Sequence, residues 1–197
     1  MTVINSRRLF LMASLYSVLE PSLIFASQQN AAIEIVDKAV SKINQIINSG
    51  GTQTQMLSSF ERVFNVYADV PTIAKYALGR DARTASEDQL KAYIRAFSGY
   101  FSNKYGKRFR EFIGGKIEIK SVVKINNYYS VNTIAHMPAY EPFEVDFLVS
   151  DRSGQPLVFN LIIEGVNMLL AERQEIGALL DRNSGNIDAL IDDLIVP

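Results

Sequence analysis

Residues 116–137 read Lys-Ile-Glu-Ile-Lys-Ser-Val-Val-Lys-Ile-Asn-Asn-Tyr-Tyr-Ser-Val-Asn-Thr-Ile-Ala-His-Met, and their period decides the fold class. Ile117, Ile119, Val123 and Ile125 alternate with Glu118, Lys120 and Lys124, which gives a strand with one apolar and one wet face. Asn126 and Asn127 suit a hairpin turn, because asparagine tolerates the backbone that tight turns demand. Tyr128 to Met137 is then the return strand, stopped by Pro138. Beyond it, Phe143, Val145, Phe147 and Val149 alternate with Glu144, Asp146 and Ser150, and Asp151-Arg152-Ser153-Gly154 turns the chain again. Leu157 to Glu164 is nearly all apolar, as expected of a strand covered on both faces. The stretch predicts a four-stranded antiparallel meander.

Outward from it, the period is 3.6. Ile33 to Asn48 carries Val36, Val40, Ile43 and Ile47 and ends at Gly50-Gly51; Thr52 to Tyr67 repeats the pattern with Met56, Leu57, Phe60, Val63 and Phe64. Asp69-Val70-Pro71 reads as a helix start, with Asp69 as cap, proline in the first turn and Gly79 as the stop. Ser86-Glu87-Asp88-Gln89 is a capping box opening the longest helix, whose inner face reads Leu90, Tyr93, Ile94, Phe97, Tyr100, Phe101 and Tyr105. That helix frays near Gly114-Gly115. On the far side Gly165 releases the chain into a helix from Val166 to about Arg182, and Asn186 to Ile195 makes the last one. Helices packed on one side of an antiparallel sheet make an α+β fold.

The 197 residues, 48% of them apolar, suffice for one well-buried core. There is no cysteine, hence no disulfide, no thiolate nucleophile and no lipid-anchored cysteine. A formal net charge of -1 gives no global field for nucleic acid. The first 26 residues read as a targeting segment. Arg7 and Arg8 precede a short apolar run, Leu9 to Leu19, which is too short to span a bilayer; Glu20-Pro21 breaks it, and Ala26 offers a cleavage point. Ser6-Arg7-Arg8-Leu9-Phe10-Leu11 also resembles a twin-arginine export signal, with Met12 where lysine is usual. The expectation is an exported chain: residues 1–26 a signal peptide, residues 27–197 a single domain.

Catalytic patterns are missing. No glycine-rich phosphate loop, no H-E-x-x-H and no G-x-S-x-G occurs, nor any cluster with metal-ligand spacing. His136 is the only histidine and sits at a strand end, where a structural role is expected. Glu144 and Asp146 fall on the wet face of their strand. Lys104, Lys107, Arg108, Arg110 and Lys116, interleaved with Tyr105, Phe109 and Phe112, read either as a solvated helix face or as a contact for a phosphate head group, a membrane surface or an acidic partner. The aromatic stripe from Tyr93 to Tyr105 marks an inner face. Periodicity does not say whether that inside is packed or hollow.

Several segments together resemble the toluene-tolerance family. They are Val70-Pro71-Thr72-Ile73-Ala74-Lys75-Tyr76-Ala77-Leu78-Gly79-Arg80, then Gln89 with Tyr93, Phe97, Phe101 and Tyr105, then Ile162-Ile163-Glu164-Gly165-Val166-Asn167. Arg173-Gln174-Glu175 and Gly185-Asn186-Ile187-Asp188-Ala189-Leu190-Ile191 complete the set, over about residues 33 to 195. The chain departs from the family at Pro156, where tryptophan is usual, and at Asn160, Leu161 and Asn167, where aspartate, valine and serine are usual.

The resemblance implies helices on a curved four-stranded antiparallel sheet that encloses an apolar lipid cavity, with no cofactor and no enzymatic activity. It implies a periplasmic, soluble carrier that binds phospholipid acyl chains. Such a carrier passes lipid between an outer-membrane lipoprotein/porin complex and an inner-membrane ABC transporter complex. Alternatives are a carrier of a hopanoid or another envelope lipid, and a non-binding envelope scaffold subunit. The expected wall combines the helix stripe, the inward strand faces and the matched motifs: Ile73, Tyr76, Ala77, Phe97, Tyr100, Phe101, Tyr105, Val131, Phe147, Phe159, Ile163 and Val166. Each buried methylene contributes roughly 0.8 kcal/mol, so an acyl chain of about 16 carbons contributes on the order of 10 kcal/mol. A bilayer offers the same chain a similar environment, so carriage needs no chemistry by the carrier.

Overall fold

A computed structural model describes residues 21–107, 113–138 and 140–195. In chain order they form α1 (Pro21–Ile47), α2 (Gln53–Tyr67), α3 (Val70–Leu78), a 3-10 turn (Gly79–Arg83) and α4 (Glu87–Gly106). Then follow β1 (Lys116–Ile125), β2 (Tyr128–His136), β3 (Phe143–Ser150), β4 (Leu157–Ile163), β5 (Val166–Asn167), α5 (Met168–Arg182) and α6 (Ile187–Ile195). Arg7, Arg8 and the apolar run after them lie outside the described residues, and the expected cleavage point at Ala26 falls within α1.

Local chemistry sets the helix boundaries. Thr52 and Ser86 each accept from the third residue of the helix they open, and Gln55 and Gln89 reach back to the cap backbone, so both helices begin with a complete capping box. Asp69 caps α3 by accepting from the Thr72 amide, with Pro71 in the first turn, where its missing N–H costs nothing. Asn126, at φ 51°, closes the β1–β2 hairpin in the left-handed region that asparagine tolerates.

The strands form one antiparallel sheet in the order β1-β2-β3-β4-β5. The first helix, expected from Ile33, already runs from Pro21, and two features of the sheet region also differ from the sequence expectation. A fifth strand of two residues, Val166–Asn167, folds back on Ile162 and Ile163 before α5 starts at Met168, so the expected helix opens two residues late. A bulge between Ile119 and Ser121 also shifts the alternation of β1. Downstream of it Val122 packs inward with Ile117 and Ile119, while Val123 and Ile125 are exposed. A one-residue slip flips every later side chain, which defeats period counting.

One sheet face is covered by α1. Ala32, Val36 and Val40 meet Val131, Ala135, Val145, Phe147, Val149 and Val158. The inward Thr133 hydroxyl donates to the Val145 carbonyl at 2.6 Å, so this polar group is satisfied inside the layer. The other face is polar at its centre: Ser121 donates to Asn132, and Asn132 to Asp146. A second cluster fills the helical half, where Tyr93 and Phe97 of α4 are fully buried among α3, α5 and α6. A smaller third one joins Ile47 of α1 to Phe60 of α2, with Ile43, Phe101 and Tyr105 against them.

Candidate functional site

The three apolar clusters do not merge. Where they meet lies a cavity of about 120 Å³. Its wall takes Ala39 and Ile43 from α1, and Phe60, Val63, Phe64 and Tyr67 from α2. Ile73, Phe101, Phe147 and the run Val158 to Leu161 complete it from α3, α4 and the sheet, and α5 supplies Met168, Leu169 and Glu172. A cavity of about 150 Å³ holds one benzene ring, so the space here has the size of a short segment of hydrocarbon. A whole acyl chain requires the helices to part.

Four residues of the expected wall are on it: Ile73, Phe101, Phe147 and Phe159. The other eight lie elsewhere. Ala77 and Phe97 pack in the helical cluster, Val131 and Ile163 in the layer between α1 and the sheet. Tyr100 and Tyr105 turn to carboxylates of α5. Tyr76 and Val166 are at the surface, 42% and 56% exposed. The α2 side was missed, although Phe60, Val63 and Phe64 carry the same helical period as α4. Phe64 and Phe101 stack across the cavity wall with centroids 4.3 Å apart and rings within 8° of parallel, which ties α2 to α4.

Two polar residues interrupt the wall. Asn160 has both amide ends engaged: Nδ2 donates to Asn167 Oδ1 at 3.0 Å, and Oδ1 accepts from the Leu169 amide at 2.9 Å. Asn167 in turn caps α5 by accepting from the Leu170 amide. The two positions where asparagine departs from the resembled family therefore touch each other, and together they fix β4 to the start of α5.

Glu172 is the second, and it is fully buried. Its Oε1 accepts from Lys104 Nζ at 2.7 Å and from the Tyr105 hydroxyl. Its Oε2 has no hydrogen-bond partner among the described residues. Lys104 also pairs with Glu175, which accepts from the Tyr100 hydroxyl. Burial works against the Lys104 charge, but the bonds to Glu172 and Glu175 outweigh it and hold the ammonium above its ordinary range. Burial pushes Glu175 up, yet Lys104 and Tyr100 more than reverse that and hold it below the ordinary carboxylate value. The Tyr100 and Tyr105 phenols are pushed up by burial and by their bonds to these carboxylates, so both remain neutral donors. The result is a polar seam between α4 and α5, with one carboxylate oxygen, on a residue of the cavity wall, that has no partner among the described residues.

His136 stands exposed beside Glu118 at 3.5 Å, away from the cavity. Among the described residues no group of acidic or histidine side chains is arranged to hold a metal ion, and no helix is long and apolar enough to cross a membrane. Of the expected basic cluster, Lys104 is bound in the seam and Lys107 and Lys116 are exposed. Arg108 and Arg110 lie outside the described residues.

The sequence model of the MlaC protein matches residues 34–195. The chain belongs to the MlaC family. The fold is also that of the phospholipid-binding protein from Ralstonia solanacearum, whose structure is in complex with a phospholipid. That chain superposes with a TM-score of 0.71 at 16% sequence identity, over 83% of this chain and 94% of the other.

Many of the residues that carry the MlaC-family likeness hold the helical half together and do not line the cavity. Arg173 lies over the Tyr76 ring at 5.1 Å and donates to the Tyr76 carbonyl at 3.0 Å, so it satisfies the end of α3. Gly79, at φ 74°, leaves room for that guanidinium; a Cβ there would lie 3.2 Å from Nη2. Gln89 donates to Asp188 at 3.0 Å, joining the start of α4 to α6.

Proposed function

We propose that this chain is an exported, non-enzymatic carrier that takes up phospholipid acyl chains in the cavity between α1, α2, α4, α5 and the sheet. Its expected station is the periplasm, between an outer-membrane lipoprotein/porin complex and an inner-membrane ABC transporter complex. The observation that carries this reading is the apolar cavity left where three clusters fail to merge, in a fold shared with a protein solved with phospholipid bound. Membership of the MlaC family supports it, as do the leader-like residues 1–26. Lipid moves between two environments of similar apolarity, so the carrier itself supplies burial, and direction comes from its partners.

A transfer assay tests it. Donor vesicles carrying a pyrene-labelled phosphatidylglycerol are mixed with acceptor vesicles, with and without the chain. Protein-dependent transfer, with label also recovered in the protein fraction, is expected. No label on the protein and no acceleration would refute the proposal.

A second reading, a hopanoid or another hydroxyl-bearing envelope lipid as the cargo, is supported by one observation. Glu172 Oε2, without a partner among the described residues, would accept a hydrogen bond from a ligand hydroxyl. A preference for hydroxylated over plain lipid in the same assay would favour it.

A further inference from the structure

Outside the cavity, α1 and α2 border an open cleft of about 400 Å³. Val63 and Tyr67 line both spaces, so these two half-buried side chains form the partition between them. The two sides differ in character. The cavity is walled almost wholly by hydrocarbon, whereas the cleft carries Lys42 from α1 and Arg62 from α2, with Gln45 and Ser59 beside them.

Neither cation has a counter-charge among the described residues. Lys42 Nζ donates to Gln45 Oε1 at 3.1 Å and Arg62 Nη2 to Ser59 Oγ at 2.8 Å, both neutral acceptors. Neither forms an ion pair among the described residues, although Lys38, one turn earlier on α1, pairs with Glu34. Glu61, next to Arg62 in sequence, faces Gly99 of α4 instead. The cleft is therefore a site of net positive charge at the edge of an apolar hole.

We propose that the α1–α2 cleft is the mouth of the cavity and the binding site for the phosphate of a phosphate-bearing amphiphile. The phosphate sits between Lys42 and Arg62, and its tail passes Val63 and Tyr67 into the interior. This deepens the carrier reading and rests on it. Arg62 presents a planar fork that matches two phosphate oxygens, and Lys42 supplies a second charge from the facing helix. The side-chain amide of Gln45 and the hydroxyl of Ser59 already hold both cations with neutral bonds, which a phosphate oxygen can join without breaking an ion pair. A neutral lipid with the same tails gains none of this.

The test uses the full chain and two water-soluble lipids with identical short tails, dihexanoyl phosphatidic acid and dihexanoylglycerol, with inorganic phosphate as a third probe. Calorimetric titration is expected to give the phosphatidic acid at least about a tenfold advantage over the diacylglycerol, narrowing as salt is raised. In Lys42→Gln/Arg62→Gln, two exposed substitutions whose folding is checked by thermal melting, phosphatidic acid falls to the level of the diacylglycerol. Equal binding of the two lipids by the native chain would overturn the inference while leaving the carrier reading in place. So would a preference that survives in the double variant. Inorganic phosphate binding as tightly as phosphatidic acid would show an anion site unconnected with the cavity. Binding of neither lipid would overturn the carrier reading and this inference with it.

Discussion

Filling the cavity separates stability from carriage. Ala39 is buried on α1 and its methyl lines the space, so Ala39→Leu adds three carbons to a hole of about 120 Å³. At about 0.8 kcal/mol for each buried carbon group the gain is at most about 2.4 kcal/mol. Ordering the leucine side chain costs about 0.5–1 kcal/mol of that. The net expectation is about 1.5 kcal/mol, or roughly 3–6 °C in Tm for a domain of this size. The same leucine occupies the place of a chain segment. Excluding about four methylenes of a lipid tail costs it about 3 kcal/mol, a loss of roughly two orders of magnitude in affinity. Differential scanning calorimetry and the pyrene-lipid transfer assay read the two effects on one preparation. A variant that melts higher and carries no lipid is expected. A variant that melts higher and carries lipid as well as the native chain would refute the assignment of this hole to the lipid tail.

The polar features give further predictions. Lys104→Met leaves Glu172 buried with, among the described residues, only the Tyr105 hydroxyl as donor, so a loss of about 3 kcal/mol is expected by denaturant titration. The double variant Lys104→Met/Glu172→Leu recovers much of it, because it removes the uncompensated charge; no recovery would contradict the account of the seam. Asn160→Ala unties β4 from the start of α5 and leaves the part-buried Leu169 amide unsatisfied, with an expected cost of about 2 kcal/mol and a Tm lower by roughly 4–8 °C. Glu175 has a folded pKa below its ordinary value near 4.5, so its contribution is present above that value and lost as pH falls through the lower folded one. Since Glu175 is about half exposed, the contribution is under about 1 kcal/mol. Melting curves of the native chain and of Glu175→Gln should therefore differ slightly at neutral pH and converge on acidification below about pH 4.5.

Much of the architecture was legible because local chemistry marks it. Asp69 and Ser86 start their helices, Gly79 ends one, and Asn126 turns the hairpin, each through a backbone geometry its residue type favours. The bulge at Ile119/Ser121 was not legible, since nothing in the alternation announces an inserted residue until the partner strand is in place. The cavity was legible only in part, for a physical reason. Apolar periodicity gave the inner face of α4, and that face divides three ways: Phe97 into packed core, Phe101 onto the wall, Tyr100 and Tyr105 into the polar seam. A cavity is a shortfall of packing between elements, and no single element encodes it. The residues that carry the family likeness drew attention to the helical half, where they pack against one another. Tyr76 and Arg173 tie α3 to α5, while much of the cavity wall, Ala39, Ile43, Phe60, Val63 and Phe64, comes from α1 and α2. Glu172 was invisible for the converse reason: a carboxylate in a polar helix segment is ordinarily wet, and only the facing Lys104 and Tyr105 make its burial tolerable.

The most direct measurement is mass spectrometry of what the chain already holds. The full 197-residue chain is expressed, recovered from the envelope fraction without detergent, extracted with organic solvent, and its lipid quantified against protein. About one phosphate-bearing lipid per chain is expected, reduced at least tenfold in Ala39→Leu. An extract of correctly folded protein that contains no stoichiometric lipid would contradict the account.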